Sequence, residues 1–129
     1  MKLLYNDTIL NLNTKITDSN FGINEKDKWC LINISINNKD TNYEIIDELL
    51  TKKEIDETIN KINSFQEGII KSINIKYIKN YIKIKLSNKS NKKILELNLI
   101  EPKNKSNKTH TIYLEDNEIT TFIKLLKGE

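Results

Sequence analysis

The chain has 129 residues, of which 37% are hydrophobic, and this is enough for one domain with one core. Its one cysteine and one histidine exclude an internal disulfide and the usual zinc sites, and no apolar stretch approaches the roughly 20 residues that cross a membrane. The first residues also lack the apolar run of a signal peptide. We therefore predict a single domain over residues 1–129, located in the cytoplasm, without a metal or other cofactor.

The composition reflects codon usage before it reflects function. Alanine, valine and arginine are absent, whereas isoleucine, lysine and asparagine, which AT-rich codons encode, are abundant. We interpret the sequence as a bacterial gene from an AT-rich genome. The abundance of lysine is therefore not, by itself, evidence for a function.

The charges are unevenly distributed, although the formal net charge is only +3. Residues 40–57 contain seven acids and two lysines, and residues 71–108 contain eleven lysines and two glutamates. The fold should therefore present one acidic and one basic surface. Charged faces of this kind are also the ordinary solvated surface of a soluble domain.

The first part of the chain has the alternation of strands. Short strands are predicted around the turn residues Asn6 and Asp7, and a stronger strand begins at Trp29, where alternate residues from Cys30 onward are apolar. A polar segment that contains Gly22 separates them and is predicted to be a loop. The predicted strands are Lys2–Tyr5, Ile9–Asn13, Trp29–Asn37 and a short one over Tyr43–Ile46, and the loop is Thr17–Lys28.

The first helix has signals at both ends. Thr51 and Glu54 have the spacing of a capping box, in which each side chain accepts from the other residue's free backbone donor. Ile55, Ile59 and Ile62 then form one apolar stripe, and Gly68 can take the left-handed conformation that ends a helix. These signals predict a helix over about Lys52–Gln66.

Four alternating strands and a second helix follow. The apolar faces of the strands are Ile73, Ile75 and Tyr77; Ile82, Ile84 and Leu86; Leu95, Leu97 and Leu99; and His110, Ile112 and Leu114. Short polar connections between them favour antiparallel pairing. The second helix is predicted to start near Asp116 and to end before Gly128. Its apolar stripe is Ile119, Phe122, Ile123 and Leu126.

The order β-β-β-(β)-α-β-β-β-β-α predicts an α+β fold. We expect an antiparallel β-sheet of about six or seven strands packed with two α-helices, because this arrangement buries every apolar stripe. The alternative is a two-sheet β-sandwich with helices at its ends. No internal repeat is visible in the residues.

The sequence contains no residue that we nominate as catalytic. The three glycines stand far apart, so no phosphate-binding loop is present. His110 and Cys30 both align with apolar neighbours on the inward side of their strands, which is typical of core residues rather than of a base and a nucleophile. We therefore predict a protein that is not an enzyme, and an uncharacterised enzyme subunit remains an alternative.

Binding of nucleic acid is a second alternative. Lys76, Lys83 and Lys85 lie on the side of their strands opposite the apolar stripe, with Tyr81 between the first two in sequence and Tyr113 on the same side. Lysines and aromatic rings on an open sheet face can follow a phosphate backbone and stack bases. Two tyrosines make a thin platform, however, and no known nucleic-acid-binding motif is present, so the sequence argues against this partner.

From Trp29 onward the sequence resembles the WapI family of bacterial immunity proteins. The resemblance rests on a strand start at Asp27-Lys-Trp29-Cys-Leu31, a helix start at Asp47-Glu-Leu49-Leu50-Thr51-Lys-Lys-Glu54, and the segment Leu97–Pro102 followed by Thr111–Leu114 and a closing helix. It implies a protein that neutralises a cognate bacterial toxin by stoichiometric binding, with no catalytic residues. We take this as the main interpretation, and the sequence leaves the oligomeric state open.

If the chain is an immunity protein, the acidic segment around the first helix start is the expected toxin-binding surface. Acids there could enter a basic toxin cleft. The same acids also stabilise the positive end of the helix dipole, which is the simpler explanation of their position. The candidate partner-binding residues are Glu44, Asp47, Glu48, Asp56 and Glu57.

Overall fold

The computed structural model describes residues 2–5, 8–16, 28–37, 42–89, 92–103 and 105–128. Most of the predicted loop over 17–28 lies outside the described residues. In chain order the elements are β1 (Lys2–Tyr5), β2 (Thr8–Ile16), β3 (Trp29–Asn37), β4 (Asn42–Thr51), α1 (Lys52–Gln66), β5 (Ser72–Ile75), β6 (Ile82–Lys89), β7 (Lys92–Ile100), β8 (Asn107–Leu114) and α2 (Asp116–Lys127).

The strands form two antiparallel sheets of four, with the orders β1-β2-β3-β4 and β5-β6-β7-β8. The α+β prediction with antiparallel strands and two helices is confirmed, and the strands divide in the two-sheet manner that the sequence left as the alternative. Strands β4 and β5, between which α1 lies in the sequence, are edge strands of different sheets. Each sheet is followed by one helix, so the chain repeats the order ββββα although no repeat is visible in its residues.

The two sheets and α2 enclose a shared apolar core. Alternate residues of β3 and β6 are buried, and they face buried residues of α2 such as Phe122 and Leu126. Helix α1 packs on β4, β5 and α2. Leucine and isoleucine side chains from both halves of the chain are thus buried in one cluster. The burial of apolar surface is the dominant favourable contribution to the free energy of folding. Within the described part of the chain, neither helix is long and apolar enough to cross a membrane.

Both helix ends follow local signals. Helix α1 has the predicted bounds, and Thr51 and Glu54 form the predicted capping box with backbone-to-side-chain distances of 3.0 and 3.2 Å. In α2 the residue that precedes the first turn is Glu115, not Asp116, because the Glu115 backbone N–H donates to Oε1 of Glu118. Gly68 and Gly128 follow the two helices with φ of +77° and +81°, the left-handed conformation that favours glycine.

Glu54 also ties α1 to the second half of the chain. Its Oε1 accepts from the Thr51 backbone N–H and hydroxyl, and its Oε2 accepts from the backbone N–H of Ile78 at 2.9 Å. The side chain is almost completely buried. A buried carboxylate is stable only when hydrogen bonds satisfy it, so this arrangement holds the connection between β5 and β6 in one place.

Two further contacts fix the same connection. The Tyr77 hydroxyl lies 2.7 Å from the Thr58 hydroxyl in the core, and burial raises the pKa of Tyr77 well above its usual value. The Lys79 ammonium donates to the Glu48 carbonyl oxygen at 2.6 Å and lies 4.2 Å from the ring centre of Trp29. The chain therefore runs from β5 into β6 along a defined path, which positions the exposed residue at the end of β5, Lys76, beside β6.

Candidate nucleic-acid interface

The outward side of the β5–β8 sheet carries a group of exposed lysines, which we call the lysine face: Lys76, Lys83 and Lys85. Isoleucines 73, 75, 82 and 84 are buried on the inward side of β5 and β6. Because side chains alternate along a strand, Lys83 and Lys85 both point outward, roughly 7 Å apart along β6. The apolar alternation that builds the core therefore also produces this row of cations.

The lysine face is concave. Its hollow has a volume of about 360 Å³. The residues that line it are Asn74, Lys76, Lys83, Lys85, Glu96, Asn98, Asn107 and Thr109. Glu96 is the one acid among them, so the hollow has an excess of positive charge. In the part of the chain that the structure describes, the ion pairs are Lys52 with Asp56 and Lys93 with Asp116, so the three lysines of the face are available to an anion.

Cross-strand register gives the hollow two chemically different sides. Lys85 lies opposite Glu96 on β7. Lys83 lies opposite Asn98, which in turn lies opposite Thr109 on β8. Two of the three cations thus lie on β6, and hydrogen-bonding oxygens and amides lie on β7 and β8.

The two tyrosines stand at opposite ends of the lysine face. Tyr81 precedes β6 and is half-buried, with the Lys105 ammonium 5.4 Å from its ring centre. Tyr113 is 38% exposed on β8 and lies opposite Ile94, which is in turn opposite Ser87 of β6. The span from residue 81 to residue 87 is roughly 20 Å along the strand. An exposed aromatic ring, Tyr113, therefore borders the row of cations at its Ser87 end, while Tyr81 at the other end packs against the core.

The outward side of the other sheet, which we call the amide face, is the natural comparison. Its hollow has a similar volume of about 340 Å³. The residues that line it are Asn11, Leu12, Asn13, Asn33, Ser35, Glu44 and Gly128. Among the described residues of this lining there is no lysine, and the one charged side chain is acidic. The two hollows differ in charge rather than in size, and only the lysine face is suited to a polyanion.

The structure does not gather the predicted acidic residues into one patch. Glu44 lies on the amide face, while Asp47 and Glu48 are half-buried further along β4, which continues beyond the predicted short strand Tyr43–Ile46. In α1, Asp56 pairs with Lys52 at 2.9 Å and Glu57 is exposed.

The histidine and the cysteine both lie where core residues were predicted. Cys30 is 1% exposed. His110 is half-buried beside Tyr43, with 5.8 Å between ring centroids, and its pKa is lowered by burial and then by the positive charge of Lys108. Burial, and then the negative charge of Glu101, raise the pKa of Tyr43. Among the described residues, the Tyr43 hydroxyl and His110 Nε2 have no hydrogen-bond partner.

The sequence reasoning missed the polar side of the hollow. Glu96 and Asn98 alternate with the three leucines of β7, so their outward direction was already readable. What could not be read was that Asn107 and Thr109 lie beside them, because this depends on the register between β7 and β8.

Three solved structures share this fold. The crystal structure of WHY3 from Arabidopsis thaliana matches with a TM-score of 0.53 and 9% identity, covering 98% of this chain and 83% of that one. The plant transcriptional regulator PBF-2 matches with a TM-score of 0.50 and 7% identity, covering 98% and 77%. WHY1 from Arabidopsis thaliana matches with a TM-score of 0.50 and 11% identity, covering 98% and 85%. No protein-family model matches the chain, and no curated protein matches its sequence.

These findings overturn the main functional interpretation of the sequence. A toxin-neutralising immunity protein with a toxin domain as partner is wrong, because the similar structures are WHY proteins and a transcriptional regulator. The argument against nucleic acid as a partner is wrong for the same reason. That argument relied on the absence of short nucleic-acid-binding motifs, whereas the similarity to the three solved structures concerns the fold as a whole. The resemblance to the WapI family and the acidic binding residues stay predictions that no comparison tests.

Proposed function

We propose that this protein binds single-stranded nucleic acid on the lysine face. The observation that carries the proposal is the hollow itself, where Lys76, Lys83 and Lys85 face solvent against one acid, Glu96. Successive lysines along β6 can neutralise successive phosphates of an extended strand, and neutralised phosphates release counterions, which drives association.

The shape of the face favours a single strand over a duplex. The major groove of DNA admits a helix or a two-stranded ribbon that projects from a protein, and the lysine face is a concave sheet. A single strand can lie in such a hollow with its bases turned toward the protein. Tyr113, which is exposed at one end of the face, is placed to stack on a base that leaves it, whereas the half-buried Tyr81 packs against the core.

The structural neighbours support the same class of function. One of them is described as a plant transcriptional regulator, and regulation of transcription brings a protein to nucleic acid. The identities of 7 to 11% mean that the likeness concerns the fold, so the function depends on the lysine face of this chain.

We further propose that the protein acts by binding and without catalysis, in the cytoplasm. The absence of a nominated catalytic residue in the sequence supports the first part. Cys30 is buried, and His110 lies beside Tyr43 with a lowered pKa. These two residues therefore do not form a pair of nucleophile and activating base.

The proposal is tested with fluorescence anisotropy of a labelled single-stranded oligonucleotide of about 12 nucleotides, compared with the corresponding duplex. The variant Lys83→Gln/Lys85→Gln removes two charges from the face and replaces them with neutral polar side chains that are one atom shorter. Each phosphate contact to a single strand changes affinity about fivefold at roughly 0.1 M salt, so the double variant should bind about 25-fold more weakly.

Lys15→Gln is the matched control, because Lys15 is an exposed lysine of β2, which belongs to the other sheet. It should change affinity less than about twofold. Equal losses in the control and the double variant would mean that the lysine face is not the binding surface. Absence of binding by the unmodified protein at low salt would refute the function.

A further inference from the structure

Besides the lysines, the hollow contains a hydrogen-bonded cluster of uncharged polar side chains. Nδ2 of Asn98 donates to Oδ1 of Asn107 at 2.6 Å and to Oγ1 of Thr109 at 2.9 Å. The three side chains line the same hollow as Lys83 and Glu96. Two strands and two hydrogen bonds thus hold the cluster in one arrangement on the floor of the lysine face.

The cluster presents a defined set of free hydrogen-bonding groups. A primary amide has two donors, and both donors of Asn98 are used, which leaves its Oδ1 as an acceptor. The amide of Asn107 accepts through its oxygen, and its two donors have no partner among the described residues.

This combination does not suit a phosphate. A phosphate group offers acceptors alone, so the free Oδ1 of Asn98 and the carboxylate of Glu96 would both repel it. These two acceptors lie two residues apart on the same side of β7, whereas Lys83 and Lys85 lie on β6. A base edge, in contrast, carries donors and acceptors side by side.

We propose that Glu96, Asn98 and Asn107 read the base edges of the bound strand and select bases with an exocyclic amino group. The inference rests on the proposed function: the phosphates lie along β6, and the bases turn toward β7. The two hydrogens of the cytosine amino group satisfy Glu96 and Asn98, and a neighbouring ring acceptor takes a hydrogen bond from Asn107. Thymine has a carbonyl oxygen at the position of that amino group, so it places an acceptor against two acceptors.

The test compares labelled oligo(dC) and oligo(dT) of about 12 nucleotides at equal salt and slightly alkaline pH, by anisotropy. Both are pyrimidine strands, so differences in self-stacking are small. The unmodified protein should bind oligo(dC) roughly tenfold more tightly, within the range for one base-specific contact. The ratio of the two affinities should fall to within about twofold in Glu96→Gln, which keeps the shape of the side chain and replaces one acceptor oxygen with a donor.

Asn98→Ala should lower the same ratio, because it removes the second acceptor and releases Asn107 and Thr109. Asn33→Ala is the control, since Asn33 occupies the middle of β3 on the amide face and should leave the ratio unchanged. Salt-dependent binding with equal affinities, or a preference that survives both variants, overturns this inference and leaves the proposed function standing. If neither oligonucleotide binds, the proposed function fails and the base selection fails with it.

Discussion

Glu54 connects the first turn of α1 to the connection between β5 and β6, and replacing it should destabilise the protein more than any exposed acid does. In Glu54→Ala the capping box is lost, which costs about 1 kcal/mol of the free energy of unfolding. The backbone N–H of Ile78 also loses its carboxylate acceptor, which costs a further 1 to 3 kcal/mol or so. The expected total is about 2 to 4 kcal/mol.

Urea denaturation followed by circular dichroism measures this change. The midpoint should fall while the slope of the transition stays the same, because the folded core is unchanged. Glu54→Gln keeps one acceptor oxygen and should lose about 1 to 2 kcal/mol. Glu57→Ala, at an exposed position of the same helix, should change stability by less than about 0.5 kcal/mol.

Amide hydrogen exchange separates the two contributions. The Ile78 amide should be protected in the unmodified protein and should lose protection in Glu54→Ala before global unfolding. If Glu54→Ala is no less stable than Glu57→Ala, or if Ile78 exchanges at the same rate in both, then Glu54 does not hold the connection and the reasoning is wrong.

Two further predictions concern particular side chains. Because burial and Lys108 lower the pKa of His110 from 6.5, the unfolded chain takes up that proton more readily, and stability should fall as the pH drops from about 7 through 6.5 toward the folded-state pKa. The urea midpoint should vary less with pH across this range in His110→Gln than in the unmodified protein. The same pH dependence in both proteins would contradict the assignment of the effect to His110. Gly128→Ala should destabilise more than Gly68→Ala, although both replace a left-handed glycine at a cost of about 1 to 2 kcal/mol, because only at Gly128 would the new Cβ lie 2.8 Å from the Thr14 carbonyl oxygen. Equal thermal shifts for the two variants would show that this close approach is relaxed easily.

Local signals predicted the elements well. The bounds of α1 follow from Thr51, Glu54 and Gly68, because capping and chain reversal involve residues within a few positions of one another. The later strands follow from strict alternation, and the same alternation placed Lys83 and Lys85 outward.

The length of strand β4 is a feature that the alternation of residues does not predict. Alternation ends after Ile46, since Leu49 and Leu50 are consecutive and both buried. The structure accommodates them with a register shift opposite Cys30 and Leu31, which lets the strand continue to Thr51. A bulge of this kind depends on the partner strand, so the alternation of β4 alone could not reveal it.

The arrangement of the sheets and the floor of the hollow needed the same kind of non-local information. Alternation tells which side of a strand is buried and does not tell which strands pair, so two sheets of four and one larger sheet fit the sequence equally well. The meeting of Asn98 with Asn107 and Thr109 likewise depends on pairing between β7 and β8. The wrong functional interpretation has a related origin. It depended on short sequence motifs, whereas the similarity of this chain to other proteins lies in the topology of its fold.

The salt dependence of oligonucleotide affinity tests the central claim most directly. Three lysines on three phosphates of a single strand should give a slope of log affinity against log salt of about −2, and the slope of Lys83→Gln/Lys85→Gln should fall to about −0.7. Between roughly 50 and 200 mM salt this corresponds to an affinity loss of about 20-fold in the unmodified protein and about threefold in the variant. A slope near zero, or the same slope in both proteins, would contradict phosphate binding by the lysine face.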